Sequence, residues 1–143
     1  MSLKHVKARH AALKKDHEAL DQDIADWRDW WSELSEMGKP HFGEMGGRLA
    51  KFRDRLAVHF ADEEREGLLS LVMEGDRDVV LRIARLRDEH GELLAVLDGL
   101  IGRLRCAEPA FDCWGAARDE FEEFLDRLNL HEDAEDQLIE ELL

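Results

Sequence analysis

The chain of 143 residues contains no tyrosine, only two prolines and only two cysteines. Without tyrosine, the chain cannot supply a phenol radical to an oxidase reaction. Pro40 and Pro109 stand in short Gly- or Asp-containing segments, so long uninterrupted helices can form on either side of them. Cys106 and Cys113 flank Pro109 and have no further Cys or His beside them, which excludes a closed zinc site. We interpret the two cysteines as reduced surface thiols rather than a functional disulfide.

Long apolar runs and basic patches are also lacking. No stretch approaches the roughly 18 to 20 apolar residues that a membrane span requires, and the charge that begins at Lys4 leaves no signal-peptide core. The 34 acidic and 20 basic residues give a formal charge of −14, which repels the phosphates of nucleic acid. The composition therefore predicts a soluble, cytoplasmic protein that binds neither nucleic acid nor a membrane.

The sequence is rich in helical periodicity. Apolar residues recur at alternating spacings of three and four, and no run of alternating β-branched residues indicates a strand. Four helical runs are predicted, from about Lys4 to Glu36, from the segment 42–47 to about Met73, from a cap at Asp76 or Asp78 to Leu104, and from about Asp112 onward. Four long helices joined by short loops predict an all-α fold, an up-down-up-down antiparallel four-helix bundle, with residues 1–143 as one domain.

Two of the apolar stripes contain a histidine that is followed four residues later by a glutamate. His59 and Glu63 lie one turn apart in the stripe that also holds Leu56, and His131 and Glu135 repeat the spacing near the end of the chain. Burial of these polar groups without a partner would be costly. The two pairs therefore indicate a shared inorganic partner.

The first and third helices place His17 and His90 where a core residue is expected. At about 1.5 Å per helical residue, His17 and His59 both lie about 25 Å from the first loop, and His90 and His131 lie at similar depths. We therefore expect four histidines and two glutamates in one layer. One such histidine alone is more often a satisfied core residue, but six polar groups together favour a metal site. Imidazole and carboxylate suit first-row transition metals, whereas calcium prefers more oxygen and structural zinc usually brings cysteine.

His10 lies off this layer and is interpreted as a solvent-exposed histidine at the end of the bundle, with a polar layer with Glu66 as the alternative. His5 and His41 are assigned no role.

The same residues carry a family resemblance that covers nearly the whole chain. The hemerythrin-like, or HHE cation-binding, family is similar to the ordered motif set Lys15-Asp16-His17-Glu18, His59-Phe-Ala-Asp-Glu63-Glu64, Asp88-Glu89-His90 and His131-Glu-Asp-Ala-Glu135-Asp136. This resemblance implies a four-helix bundle that holds a non-haem di-iron centre, with two iron ions per chain. It implies that His17 and His59 serve one iron. It implies that His90 and His131 serve the other.

The resemblance also implies that two carboxylates, Glu63 and Glu135, bridge the ions. Some members carry His-x-x-x-x-Asp on the last helix, so Asp136 is the alternative to Glu135. The periodicity of the apolar stripe favours Glu135, because it lies one turn after His131 on the same face.

One departure from the family pattern concerns the third helix. Oxygen-carrying hemerythrins resemble this pattern but have two histidines one turn apart on that helix, whereas Leu86 and Leu94 stand four residues before and after His90. The iron served by His90 is therefore expected to have fewer protein ligands than its neighbour. Water or a carboxylate such as Glu89 or Glu132 could supply the difference, and a site with a single metal ion is the alternative.

The resemblance implies a protein that binds dioxygen or a related small ligand, or that senses iron or redox state. One alternative is an enzyme of the oxidase, peroxidase or ferroxidase kind, but ferritin-like sites carry Glu-x-x-His, which does not occur in this sequence. The other alternative is a metal-free structural or interaction bundle, in which internal hydrogen bonds would satisfy the polar layer. The small-ligand hypothesis is favoured over both.

Overall fold

The computed structural model describes residues 3–36, 42–66, 77–106 and 114–142. These residues form four α-helices: α1 spans Leu3–Glu36, α2 Phe42–Glu66, α3 Arg77–Leu104 and α4 Trp114–Leu142. No strand occurs within these ranges, which confirms the predicted all-α class. The expected end of the second helix at Met73 and the expected start of the fourth at Asp112 lie outside the described residues.

The two ends of α3 follow the sequence prediction with one difference. Asp78, which was predicted as a possible cap, lies inside the first turn of the helix. There its carboxylate interacts favourably with the positive end of the helix dipole. At the other end, the backbone N–H of Arg105 donates to the carbonyl of Ile101 at 3.0 Å and closes the last turn of the helix. Cys106 follows as an exposed thiol, whereas Cys113 lies outside the described residues.

Ion pairs between helices show that neighbouring helices run in opposite directions. Between α1 and α4, Arg28 pairs with Glu122 at 2.7 Å, while the earlier His17 pairs with the later Glu132, also at 2.7 Å. The other neighbouring helices show the same reversal. The pairs are Asp23–Arg55 and Asp16–His59 between α1 and α2, Arg53–Asp98 and Glu64–Arg87 between α2 and α3, and Arg82–Glu141 and Arg103–Glu120 between α3 and α4. The reversals confirm the up-down-up-down antiparallel bundle.

The inner faces of the helices pack into two apolar clusters, one toward each end of the bundle. The larger cluster lies where α1 and α3 end, and in it the rings of Trp27 and Phe121 approach to 4.4 Å. The smaller cluster lies where α3 begins and α4 ends, and comprises Val79, Ile83, Leu86, Leu138 and Ile139. Each fully buried aliphatic or Phe side chain contributes about 1.5 to 3 kcal/mol. The two clusters therefore hold the helices in register on both sides of a middle layer.

The outer faces of the helices are charged. The ion pairs there join half-exposed partners, such as Arg103 and Glu120, so each contributes only about 0 to 1 kcal/mol. Among the described helices, none combines the length and the hydropathy needed to cross a membrane. The stability of the bundle thus comes from its inner faces.

Candidate metal centre

Five polar side chains are buried between the two apolar clusters. His59, Glu63, His90, His131 and Glu135 are each no more than 3 % exposed. No other polar or charged side chain in the described ranges is buried to this extent. All five belong to the ligand set predicted from the sequence.

Helical spacing explains why these side chains share one layer. Glu63 follows His59 by one turn on α2, and Glu135 follows His131 by one turn on α4, so each pair occupies the inner face of its helix. The sixth predicted residue, His17 of α1, reaches the same layer from a less buried position, with 16 % of its side chain exposed.

The potential ligand atoms of the layer form two groups, and within each group these atoms lie within 4.8 Å of one another. The first group consists of His17, His59, Glu63 and Glu132, and the second of Glu63, His90, His131 and Glu135. Each group contains two imidazoles and two carboxylates. The structure thus brings together all six predicted residues and adds Glu132.

The two carboxylate oxygens of Glu63 face different groups. Oε1 lies 2.5 Å from Nε2 of His59 and 3.3 Å from Nε2 of His17. Oε2 lies 3.0 Å from Nε2 of His90. One carboxylate therefore stands between the nitrogen donors of the two groups.

Several atoms of this layer are buried without a hydrogen bond. They are both ring nitrogens of His59 and His90, Nε2 of His131, and Oε2 of Glu63, Glu132 and Glu135. These ring nitrogens come close to carboxylate oxygens but without the geometry of a hydrogen bond. Each unsatisfied buried polar atom costs about 1 to 3 kcal/mol, and a cation bound among them would satisfy them together. The residues present therefore fit a metal ion better than a hydrogen-bonded core.

Opposing charges shift the protonation of the layer. Burial alone would lower the pKa of His17, but hydrogen bonds to Glu132 and Glu63 raise it from 6.5 to about 10. Burial would raise the pKa of Glu63, but the facing imidazoles, His17 foremost, lower it far below its ordinary value. Burial and the negative charges of Glu63 and Glu132 raise the pKa of Glu135 well above its ordinary value. In the layer without a cation, these shifts favour the protonated forms of His17 and Glu135, and a cation would compete with those protons.

Aromatic packing holds the imidazole rings of the layer. The ring of Phe60 stacks on that of His90, with centroids 3.9 Å apart and planes 5° from parallel. Phe60 also meets the ring of His131 at 5.7 Å, and the rings of His17 and His59 lie 4.3 Å apart. Because Phe60 belongs to the larger apolar cluster, the centre has an apolar boundary that limits contact with bulk water.

Surface grooves between adjacent helices lead to the layer. A groove of about 500 Å³ between α1 and α4 is lined by His17 and Glu132. A groove of about 520 Å³ between α1 and α2 reaches His59, and one of about 360 Å³ between α3 and α4 reaches His131. His17 and Glu132 are each 16 % exposed, more than the buried donors, so the candidate donors are most exposed along the groove between α1 and α4.

The position of Glu132 in the centre differs from the one predicted from the sequence. The sequence predicted Glu132 only as a possible additional ligand for the iron of His90. The structure places Glu132 in the group of His17, with its carboxylate 2.7 Å from Nε2 of the His17 ring. Glu132 follows His131 directly, so it is turned by about 100° around α4 and faces α1. The sequence signal that could have indicated this role is the position of a carboxylate directly after a buried ligand, where a residue faces the neighbouring helix.

The expected shortage of donors around His90 is not found among the described residues, because each group contains four residues. Leu86 belongs to the smaller apolar cluster and Leu94 packs against the larger one, so neither position brings a donor. Glu135, and not the half-buried Asp136, joins the second group. Of the three histidines that were predicted to lie off the layer, His41 and the side chains of His5 and His10 lie outside the described residues.

Comparison with known proteins agrees with this arrangement. A family model described as "Hemerythrin HHE cation binding domain" matches residues 9–143. No curated protein and no solved structure shows significant similarity to the chain. The matched range contains every residue of the two groups and nearly the whole of the bundle.

Proposed function

Because the chain belongs to the hemerythrin HHE cation-binding domain family, we propose that it is a non-haem di-iron protein that binds two iron ions per chain. Each group offers two imidazoles and two carboxylates and no thiolate. Such nitrogen and oxygen donors suit iron, whereas structural zinc sites in proteins are usually rich in cysteine.

The observation that carries this proposal is the position of Glu63. Its side chain is fully buried, and its two oxygens lie near imidazoles of different groups. A carboxylate that served one ion alone would have no reason to lie between His59 and His90. The position of Glu63 therefore supports a pair of ions rather than a single one.

The remaining donors divide between the two ions. His17, His59 and Glu132 would hold one ion, and the group of His90 would hold the other. Glu135 is close enough to Glu63 and Glu132 for their charges to raise its pKa. This proximity supports the assignment of Glu135 as the second bridging carboxylate.

We further propose that the physiological ligand is dioxygen or a related small molecule, such as nitric oxide or peroxide. A pair of iron ions would supply the redox chemistry for such a ligand. Access to the centre would run along the groove that His17 and Glu132 line between α1 and α4, while Phe60 packs against the rings of His90 and His131. The five buried donors of the centre are each no more than 3 % exposed, which favours a small ligand over a bulky substrate.

Anaerobic loading with Fe(II), followed by metal analysis, tests the proposal. We expect two ions per folded chain, and admission of air or nitric oxide should produce absorption at wavelengths longer than the protein band. One ion in a fully loaded sample would refute the dinuclear centre. A sample that bound no ion would support the alternative of a metal-free structural bundle. Sustained turnover of added peroxide would instead favour the enzyme alternative.

A further inference from the structure

Each helix carries a carboxylate directly beside its inward-facing metal-site residue, and this carboxylate reaches the histidine of a neighbouring helix. The contacts form a closed ring around the bundle: Asp16 of α1 to His59 of α2 at 3.9 Å, Glu64 of α2 to His90 of α3 at 3.9 Å, Glu89 of α3 to His131 of α4 at 2.9 Å, and Glu132 of α4 to His17 of α1 at 2.7 Å. One residue along a helix is a rotation of about 100°. A residue beside an inward-facing donor therefore faces the adjacent helix.

The four contacts are of two kinds. Glu132 meets Nε2 of His17, the ring nitrogen that also faces Glu63. The other three carboxylates meet Nδ1, while Nε2 of each of those rings is directed at a glutamate of the two groups. Glu132 thus belongs to the centre itself. The other three lie behind the rings that they contact.

The contact between Glu89 and His131 is the closest of these three. Oε1 of Glu89 lies 2.9 Å from Nδ1 of His131, within hydrogen-bond distance. The other oxygen of Glu89 lies 3.7 Å from Nε of Arg85, and the Glu89 side chain is 28 % exposed. On its inner side, Nε2 of His131 is buried without a hydrogen bond and lies 3.7 Å from Oε2 of Glu135.

A neutral imidazole carries one proton, and the ring nitrogen without it holds the lone pair that can bind a metal. A carboxylate accepts hydrogen bonds, so Nδ1 of His131 must donate to Glu89 if the contact is satisfied. We propose that Glu89 is a positioning residue, which keeps the proton of His131 on Nδ1 and turns the Nε2 lone pair toward Glu135 and the second metal group. Asp16 and Glu64 occupy the equivalent places behind His59 and His90.

This inference rests on the proposed function in one respect, because it takes His131 to be a metal ligand. The tautomer of His131 can nevertheless be measured in metal-free protein. We expect long-range ¹H–¹⁵N spectra, recorded under conditions in which the ring is neutral, to show Nε2 of His131 unprotonated. In Glu89→Leu, which removes the acceptor, Nε2 should become largely protonated.

Two matched variants separate the hydrogen bond from charge. Glu89→Gln keeps an acceptor oxygen without the charge, and should retain the Nδ1–H tautomer. Glu92→Gln removes a carboxylate that lines the same groove between α3 and α4 and should leave the tautomer of His131 unchanged. Retention of helical content in all variants, measured by circular dichroism, checks that they fold.

Metal affinity supplies the second measurement. Competition between Co(II) and a chelator should show binding weakened by about 10- to 100-fold in Glu89→Leu, as is typical when the partner of a metal-bound histidine is lost. Glu92→Gln should bind as tightly as the unaltered protein. An unaltered tautomer in Glu89→Leu, an unaltered affinity, or an equal loss in Glu92→Gln would each overturn the proposal. If the unaltered protein bound no metal, the proposed function would fail, whereas the tautomer measurement would still decide the role of Glu89.

Discussion

Substitution of Glu63 by glutamine is the sharpest test of the shared carboxylate. The variant keeps the size of the side chain but removes its charge and replaces one oxygen by an amide N–H₂ group, which cannot bind a cation. Because Glu63 belongs to both groups, each group loses the charge of a shared ligand in one step. We therefore expect Glu63→Gln to weaken the binding of both ions and not of one alone.

The size of the effect follows from mass action. An ion present at 100 times its Kd stabilises the folded chain by about 2.7 kcal/mol, so two ions supply about 5 kcal/mol. At roughly 3 °C per kcal/mol for a chain of this length, the metal should raise Tm by roughly 16 °C. If both Kd values rise 100-fold in Glu63→Gln, the stabilisation falls to about 0.4 kcal/mol per ion. The rise in Tm should then shrink to roughly 2 or 3 °C.

Thermal unfolding with Co(II) and with excess chelator measures this difference. Each variant is compared with its own metal-free form, since Glu63 also contacts three imidazoles and its loss alters the metal-free protein as well. Asp54→Asn is the matched control, because Asp54 lies on the same helix with its side chain 79 % exposed. A Glu63→Gln protein that held two ions with the full rise in Tm would refute the shared carboxylate.

Three further predictions concern individual donors. His90→Ala should bind one ion in place of two by metal analysis, and retention of both ions would exclude His90 as a ligand. Glu135→Gln should stabilise the metal-free protein at neutral pH, because the raised pKa of Glu135 gives stability that is fully present in acid, below the ordinary carboxyl pKa, and is lost as pH rises toward the folded-state pKa. Chemical unfolding after chelation measures this, and lower stability of the variant would contradict it. Metal affinity should rise with pH from neutrality toward pH 10, since His17, with a pKa of about 10, must lose its proton to bind. Calorimetry in buffers of different ionisation enthalpy should detect the released protons, and binding without proton release would contradict the assigned protonation.

Much of the fold could be predicted from local pattern. The three-four spacing of apolar residues in four runs predicts four amphipathic helices, and short connections between long helices leave an antiparallel bundle as the simple solution. The ion pairs between adjacent helices confirm this topology. Detail at helix ends was less predictable, as Asp78 shows, because several nearby acidic residues can begin a helix.

The candidate site could be predicted in part for the same reason. Two pairs of ligands, His59 with Glu63 and His131 with Glu135, could be predicted because one turn of helix places both members of each pair on the buried face. His17 and His90 join them because equal distances from the loops give equal depth in an antiparallel bundle. Glu89 and Glu132 could not be assigned in this way, since each lies off the apolar stripe and gains its role from the helix beside it.

The sequence by itself therefore determined which residues face the interior and how deep they lie, because both properties depend on distances along a single helix. Only the tertiary structure decided how the donors divide into two groups, which oxygen of Glu63 faces which ring, and that Glu132 belongs with His17. Those relations join residues on different helices. They depend on the rotation of each helix about its own axis, which is fixed by packing of the two apolar clusters and not by the periodicity of any one segment.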